Sequence, residues 1–251
     1  NTVECMTINK VCGSGLKSVM LADQAIRCGD AEIIVAGGME NMSLSPYYLM
    51  DARDGMRLGH KKTLDAIIQD GLWDPYGDMH MGNCAEVLAK EEKFSREEQD
   101  AFAVESYRRS IEAIEKGYFS DEITTVEIPQ RKGDPIIVAL DEEPGRGKPD
   151  KIAKLRTAFE KDGTITAANA SSINDGAAAL VVMSAEKTAE LNSNPICKIV
   201  AQTSVAHEPL YFTTAPGKAI TKVLDKAGYA IDDIDLFEIN EAFSNVALAA
   251  M

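Results

Sequence analysis

The sequence contains no run of 18 uncharged apolar residues, so no segment has the length and hydropathy of a membrane-spanning helix. It lacks a signal peptide and an initiating Met. It opens at Asn1 on β-leaning sequence and closes at Met251 in an Ala-rich stretch that reads as an unfinished helix; both ends are taken as cuts in a longer protein. No Cys-x-x-Cys occurs. The cysteines at 5, 12, 28, 84 and 197 are odd in number and widely spaced, which excludes a disulfide framework and a cysteine zinc site. A reducing compartment is expected, cytoplasmic or, in a eukaryote, the mitochondrial matrix, so the Asn-x-Ser matches at Asn41 and Asn169 carry no meaning for glycosylation. Basic charge is also scarce: 26 Lys and Arg stand against 40 Asp and Glu, a formal net charge of −14. Nucleic acid and anionic membrane surfaces are poor partners for such a chain. No fixed-period repeat is present.

One segment reverses the charge. Arg146, Lys148, Lys151, Lys154, Arg156 and Lys161 face only Asp150 and Glu160 over the same stretch. On charge alone this is a solvated surface or the seat of a small anionic ligand. The 251 residues, 45% hydrophobic, suffice for one large domain or two smaller ones.

The patterning predicts an α/β fold. A short strand is expected over Thr2–Asn9 and a helix over Gly13–Arg27, with Leu16, Val19, Met20 and Ile26 on one face. A buried strand over Glu32–Ala36, closed by Gly37-Gly38, completes a β-α-β unit. Charge is denser from Met42 to Lys161. There Ser95 and Glu98 form a capping box for a long helix reaching about Lys116, and short strands are expected near Ile123–Ile128 and Ile136–Ala139. The α/β pattern resumes with strands over Thr164–Ala168, Ala177–Met183, Ile196–Ser204 and Ile234–Ile239, and with a helix from Pro216 that Gly228 stops.

Cys12-Gly-Ser-Gly15 lies where the first expected strand hands over to a helix. A thiol there faces the positive end of the helix dipole and unpaired N–H groups, which favour the thiolate and could hold an oxyanion. Gly13 and Gly15 leave room for a substrate. Taken singly, a buried structural cysteine or a weak phosphate loop explains the segment equally well.

The wider pattern is more specific. Asn9-Lys-Val-Cys-Gly-Ser-Gly-Leu-Lys17, Gly37-Gly-Met-Glu-Asn-Met-Ser43, His80-Met-Gly82 with Ala85-Glu86, Thr166-Ala-Ala-Asn-Ala-Ser-Ser-Ile-Asn-Asp-Gly-Ala177 and Asn240-Glu-Ala-Phe243 resemble, in order, blocks of the thiolase family, nearest its short-chain acetoacetyl-CoA group. The resemblance implies the layered αβαβα thiolase fold with an inserted loop domain, incomplete at both termini. Residues 1–41 would be the second part of the N-terminal domain, 42–161 the loop domain, 162–193 a return to the N-terminal domain, and 194–251 the first part of the C-terminal domain.

The implied activity is an acetyl-CoA C-acetyltransferase. It would condense two acetyl-CoA to acetoacetyl-CoA, and run the reverse thiolysis, through an acyl group on Cys12. The alternatives are a 3-ketoacyl-CoA thiolase for longer chains and a non-catalytic acyl-CoA or lipid carrier. Asn240 matches the residue that positions a water for the thioester oxygen, although an Asn at such a turn is also an ordinary helix cap. Arg146 and Lys151 match CoA contacts and Ser171 a pantetheine contact. Leu72, His80, Met81, Phe159 and Phe243 match the lining of the pantetheine and acyl site, where ordinary core is the alternative. Tyr107 and the carbonyls of Ala167, Ala168 and Ala170 match a potassium site, where a tight strand end at Ala-Ala-Asn-Ala is an equal alternative. No bound cofactor is implied beyond CoA thioester substrates and this ion, and a homodimer or homotetramer is expected. The family's Gly-His-Pro and Cys-x-Gly-Gly blocks, which supply its base and second cysteine, do not occur in this sequence, and none of His60, His80 and His207 stands in a matching block. The basic stretch Met56–Lys62 matches nothing in the pattern.

Overall fold

The computed structural model describes residues 2–251. In chain order its principal elements are α1 (Ser14–Cys28), β1 (Ile33–Asn41), β2 (Tyr47–Leu49), β3 (Thr63–Asp65), α2 (Met81–Glu91), α3 (Arg96–Glu115), β4 (Val126–Ile128), β5 (Ile136–Val138), α4 (Glu143–Arg146), β6 (Asp175–Met183), α5 (Ala185–Glu190), α6 (Ala215–Ala227) and α7 (Ser244–Leu248). They form two compact units. One comprises residues 1–78, 173–206 and 218–237, the other 79–172, 207–217 and 238–251. No helix among the described residues is long and apolar enough to cross a membrane.

The first unit is built on β1 and β6, antiparallel in continuous register from Ile33 opposite Met183 to Asn41 opposite Asp175. Helix α1 lies against them. Its Ser18 hydroxyl donates to the Gly15 and Gly37 carbonyls at 2.7 and 2.8 Å. A side chain on Gly38 would come within 3.1 Å of the Gly15 Cα, so both glycines are needed for helix and strand to approach this closely. Gly29, at φ 81°, ends the helix by donating to the Ala25 and Ile26 carbonyls.

Two expectations fail here. Of the residues expected on the inner face of α1, Val19, Met20 and Ile26 are half-buried beside buried Ala22 and Asp23, but Leu16 is 73% exposed. Strand β1 is mostly exposed rather than buried, since only one of its faces carries a helix.

The predicted strands at 2–9, 196–204 and 234–239 form no ladder, and neither does 164–168 in the second unit, which bends. A strand exists only with a partner to take its N–H and C=O groups. At 196–204 side chains take that part. Arg27 donates to the Ile199 carbonyl at 3.2 Å, Lys226 to Gln202 and Lys222 to Ser204, each at 2.9 Å. The Gln202 amide reaches the Met20 carbonyl and the buried Asp23 carboxylate.

The second unit centres on α2 and α3. Ser95 and Glu98 form the expected capping box, and α3 ends one residue before the predicted limit. Strands β4 and β5 pair antiparallel, Val126 opposite Val138, close to their predicted places. The core gathers Ala85, Ile165, Phe243 and Val246, with Met81, Phe159, Ala170, Phe212 and Ala242 packed on it. Helix α6 starts at Ala215 and stops before Gly228 at φ 74°, as expected.

Candidate functional site

In the first unit, Cys12 sits two residues ahead of α1 and its side chain is exposed. The turn that presents it is tightly tied. Asn9 Oδ1 accepts from the Val11 N–H at 2.8 Å, the Ser14 hydroxyl accepts from the Lys10 N–H at 2.7 Å and donates to the Val11 carbonyl at 2.8 Å, and Gly13 N–H donates to Lys10. Val11 is held at φ 49°. A β-branched residue seldom adopts that conformation, and the surrounding bonds hold it there at a cost of roughly 1–3 kcal/mol. Cys5, Cys28 and Cys197 are also exposed, and Cys84 is buried. Only Cys12 combines exposure with a strained turn at a helix start. Leu72, half-buried at the end of a short π-helical turn over Ile68–Leu72, also belongs to this unit.

In the second unit several predicted residues come together. His80 is the N-cap of α2, where its Nδ1 accepts from the Gly82 N–H at 3.0 Å. Its ring stacks on Phe159 at 4.7 Å, and Phe159 meets Phe243 edge-on at 6.3 Å. Met81 completes the apolar wall. A Cβ on Gly82 would lie 2.3 Å from the Phe159 ring, so that glycine makes room for the stack.

Burial holds the His80 imidazole below its usual range, since charging it there removes hydration. Protonation would also remove the lone pair that caps α2. His80 is therefore expected to titrate by NMR with a midpoint below the 6.5 of a free imidazole. Its contribution to stability is complete above that value and is lost as pH falls through the lowered midpoint. A midpoint at or above 6.5 would show that the ring is open to water.

Segment 164–171 lies beside this wall. Buried Asn169 accepts from the Thr166 N–H at 2.7 Å and donates to Asp100 Oδ1 and to the Thr164 carbonyl, each at 3.0 Å. Ser171, exposed, donates its N–H to the Ala242 carbonyl at 3.0 Å, and Ser244 N–H returns a bond to the Asn169 carbonyl at 2.8 Å. Ala170 is bridged to Phe243. The turn carrying exposed Asn240 is thus stitched to the segment carrying Ser171.

The basic loop is anchored by its backbone. Arg96 donates to the Ile152 and Leu155 carbonyls at 3.0 and 3.1 Å while pairing with Asp100 at 2.7 Å. Arg146 and Lys151 are left exposed, Arg146 in a 2.9 Å ion pair with Glu142. Tyr107, half-buried, donates its hydroxyl to Glu143 at 3.1 Å. Desolvation, then the Glu143 hydrogen bond, pushes its phenol above the usual range. Ala167 is exposed, and Ala168 N–H donates to Thr166 Oγ1.

The sequence reading did not single out Glu86, Asp100, Asn169 or Asn245 as separate residues. Glu86 is 1% exposed, and its carboxylate accepts from the N–H and hydroxyl of Thr164 and the N–H of Ile165 at 2.8–3.0 Å. Fully buried Asn245 donates to the Ala85 carbonyl at 2.8 Å. A carboxylate among Cys84, Ala85, Leu88 and Ala89 on the buried side of α2 was the available signal for Glu86.

Residues 1–186 match the thiolase N-terminal domain and residues 193–251 the thiolase C-terminal domain. The chain belongs to the thiolase family. It is 52% identical over 248 residues to an acetyl-CoA acetyltransferase of Pseudomonas aeruginosa, covering 98% of this chain and 63% of that one. A Yarrowia lipolytica acetyl-CoA acetyltransferase is 53% identical over 99% of this chain and 62% of its own. Among solved structures, the Bacillus anthracis acetyl-CoA acetyltransferase superposes with a TM-score of 0.93 at 40% identity, covering 97% of this chain and 61% of that one. A thiolase of Ascaris suum in complex with coenzyme A gives 0.92 at 42% identity, covering 98% and 63%. The fold is that of the thiolases, as the sequence blocks implied. This thiolase chain spans less than two thirds of the length of these relatives.

Proposed function

We propose that this chain carries the acyl-accepting cysteine and the CoA-binding surface of an acetyl-CoA C-acetyltransferase. The carrying observation is Cys12, exposed on a strained turn at the start of α1. Its sulfur attacks the carbonyl of one acetyl-CoA, the C–S bond to CoA breaks, and CoA leaves as the thiol carrying the cysteine proton. A second acetyl-CoA gives up an α-proton, which ends on the Cys12 sulfur when the product leaves. The resulting carbanion attacks the acyl-cysteine carbonyl and releases the Cys12 thiolate and acetoacetyl-CoA. Asn240 holds a water for the thioester oxygen. Ser171 takes the pantetheine arm, and His80, Met81, Phe159 and Phe243 line its path. The close stack of His80 on Phe159 supports a short acyl group. Residues 1–41 would be the second part of the N-terminal domain and 162–193 a return to it, 42–161 the loop domain and 194–251 the first part of the C-terminal domain.

Acetoacetyl-CoA thiolysis by an active protein containing this chain tests the reading. Turnover should exceed that on 3-ketoacyl-CoA esters of eight or more carbons, and a reversed preference would make it a long-chain thiolase.

Arg146 and Lys151 would pair with CoA phosphates, Arg146 by exchanging its Glu142 partner. Neutralising both should raise the KM for acetoacetyl-CoA about tenfold, with kcat little changed and a weaker dependence on salt. An unchanged KM would leave the basic loop as solvated surface.

The Tyr107 hydroxyl donates to Glu143 and keeps an acceptor lone pair, and the carboxylate adds negative charge beside it. This donor chemistry fits a hard monovalent cation together with the Ala167, Ala168 and Ala170 carbonyls. Bound potassium would supply positive charge that orders segment 167–170. Activity should be higher in potassium than in sodium buffer at matched ionic strength, and Tyr107→Phe should abolish the difference. Equal rates in the two buffers would dispose of the ion.

A further inference from the structure

The Asn240–Phe243 turn is fastened from two sides, and one fastening belongs to no motif singled out above. On one side lies the backbone stitching to 169–171: Ser171 N–H to Ala242, Ala170 bridged to Phe243, and Ser244 N–H to Asn169. On the other side lies α3. There the Ser106 hydroxyl donates to Glu241 Oε2 at 2.6 Å, across 135 residues of sequence. Ser106 is itself placed firmly. It sits inside a 20-residue capped helix, and its carbonyl accepts the Ser110 hydroxyl at 3.0 Å. The same helix carries Asp100, which holds Asn169 and hence the opposite side of the turn.

The backbone stitching covers Ala242, Phe243 and Ser244. It leaves Asn240 and Glu241 outside, with Asn240 exposed and in no regular element. The Glu241 side chain therefore supplies a lateral restraint next to Asn240. A charge-assisted O–H···O bond of this length is of the strong kind and strongly directional. Without it, residues 240 and 241 can swing about the Ala242 anchor. Their side chains lie at the end of that lever, where a displacement of about 1 Å is costly to catalysis.

We propose that Ser106 is a positioning residue for Asn240, acting through Glu241. This rests on the reading of Asn240 as the residue that holds the oxyanion water. Ser106 touches no substrate in this scheme. It fixes where the Asn240 amide points, so its loss affects the carbon–carbon step that uses Asn240 and spares the attack of Cys12 on the first thioester.

The test uses the active protein containing this chain and the variants Ser106→Ala, Glu241→Ala, the double variant, Glu241→Gln and Asn240→Ala. Three quantities are read: thermal midpoint, the rate of Cys12 acylation in a single turnover, and kcat for condensation. Ser106→Ala and Glu241→Ala should each lower kcat about 10- to 100-fold, with acylation within about twofold of the parent and KM little changed. The double variant should be no worse than either single one, since both break one bond. Glu241→Gln keeps an oxygen for the Ser106 hydroxyl and should restore most of the rate. A merely structural bond would lower the midpoint and both rates together, and that result overturns the proposal. So does a wild-type kcat in Ser106→Ala while Asn240→Ala is impaired. A wild-type kcat in Asn240→Ala overturns the reading of Asn240 and this proposal with it.

Discussion

Cys12→Ala should reduce acetyl transfer by roughly 10⁴-fold or more, because no other group in the turn can carry the acyl intermediate. The fold should be unharmed: the side chain is exposed, and the bonds that shape the turn come from Asn9, Lys10, Val11 and Ser14. The same argument predicts the labelling pattern of the wild-type thiols. Iodoacetamide at limiting concentration should modify Cys12 ahead of Cys5, Cys28 and Cys197, although all four are exposed, since only Cys12 faces a helix N-terminus. Cys84 is buried and should react last. A polypeptide of these 251 residues should accept an alkyl or acyl group at Cys12 without sustaining condensation, because the family's proton-transfer blocks are not in the sequence. Peptide mapping reads the first result and an acetoacetyl-CoA assay the second. Preferential labelling of another cysteine, with Cys12 inert, would remove the nucleophile from the scheme.

The second large effect concerns stability. Glu86→Ala should destabilise the protein by about 3–5 kcal/mol, since the Thr164 and Ile165 N–H groups would each lose a buried acceptor at about 1–3 kcal/mol apiece, and a cavity would open beside them. The Thr164 hydroxyl can rotate to another acceptor and adds little. Glu86→Gln should cost less, about 1–2 kcal/mol, because one oxygen survives while the new amide N–H₂ faces donors. Gly163 leaves no room for adjustment: a Cβ there would stand 2.2 Å from a Glu86 oxygen. Urea denaturation of the three proteins decides the matter, and a Glu86→Ala protein within 1 kcal/mol of the parent by that measure would mean that water replaces the carboxylate. The effect should reach the site as well, since Glu86 sets the start of the segment that carries Asn169 and Ser171.

What could be read from the sequence followed the range of the interactions involved. The α3 capping box is local, with Ser95 and Glu98 three residues apart, and it was found to within one residue. The glycine stop at Gly228 is equally local. The β4–β5 pairing joins neighbours in the chain, and its strands were placed nearly correctly. The strands predicted at 2–9, 164–168, 196–204 and 234–239 have the right composition, but composition cannot show whether a ladder partner is present. Periodicity placed the inner face of α1 correctly at Val19, Met20 and Ile26, missed at exposed Leu16, and could not show that Asp23 is buried there by its bonds to Arg27 and Gln202. At the site, the aromatic wall of His80, Phe159 and Phe243 was legible only through resemblance, since its members are scattered along the chain. The polar residues Glu86, Asp100 and Asn169 also bond partners far away in sequence, and apart from the apolar neighbours of Glu86 on α2 nothing nearby announces those pairings.

The register of β1 against β6 has a consequence for the order in which the chain folds. The Ser43 N–H donates to Asp175, 132 residues later, and the ladder runs back from there to Ile33 and Met183. During synthesis β1 is made early and waits, its edge unpaired, until β6 has emerged. Loop closure over such a span is slow and carries an entropic penalty that grows as the logarithm of its length. Helices α2 and α3, with their local caps, can form during the wait and shorten the effective span. The platform beneath the Cys12 turn is therefore expected to be among the last parts to assemble, with the β1 edge open until β6 arrives.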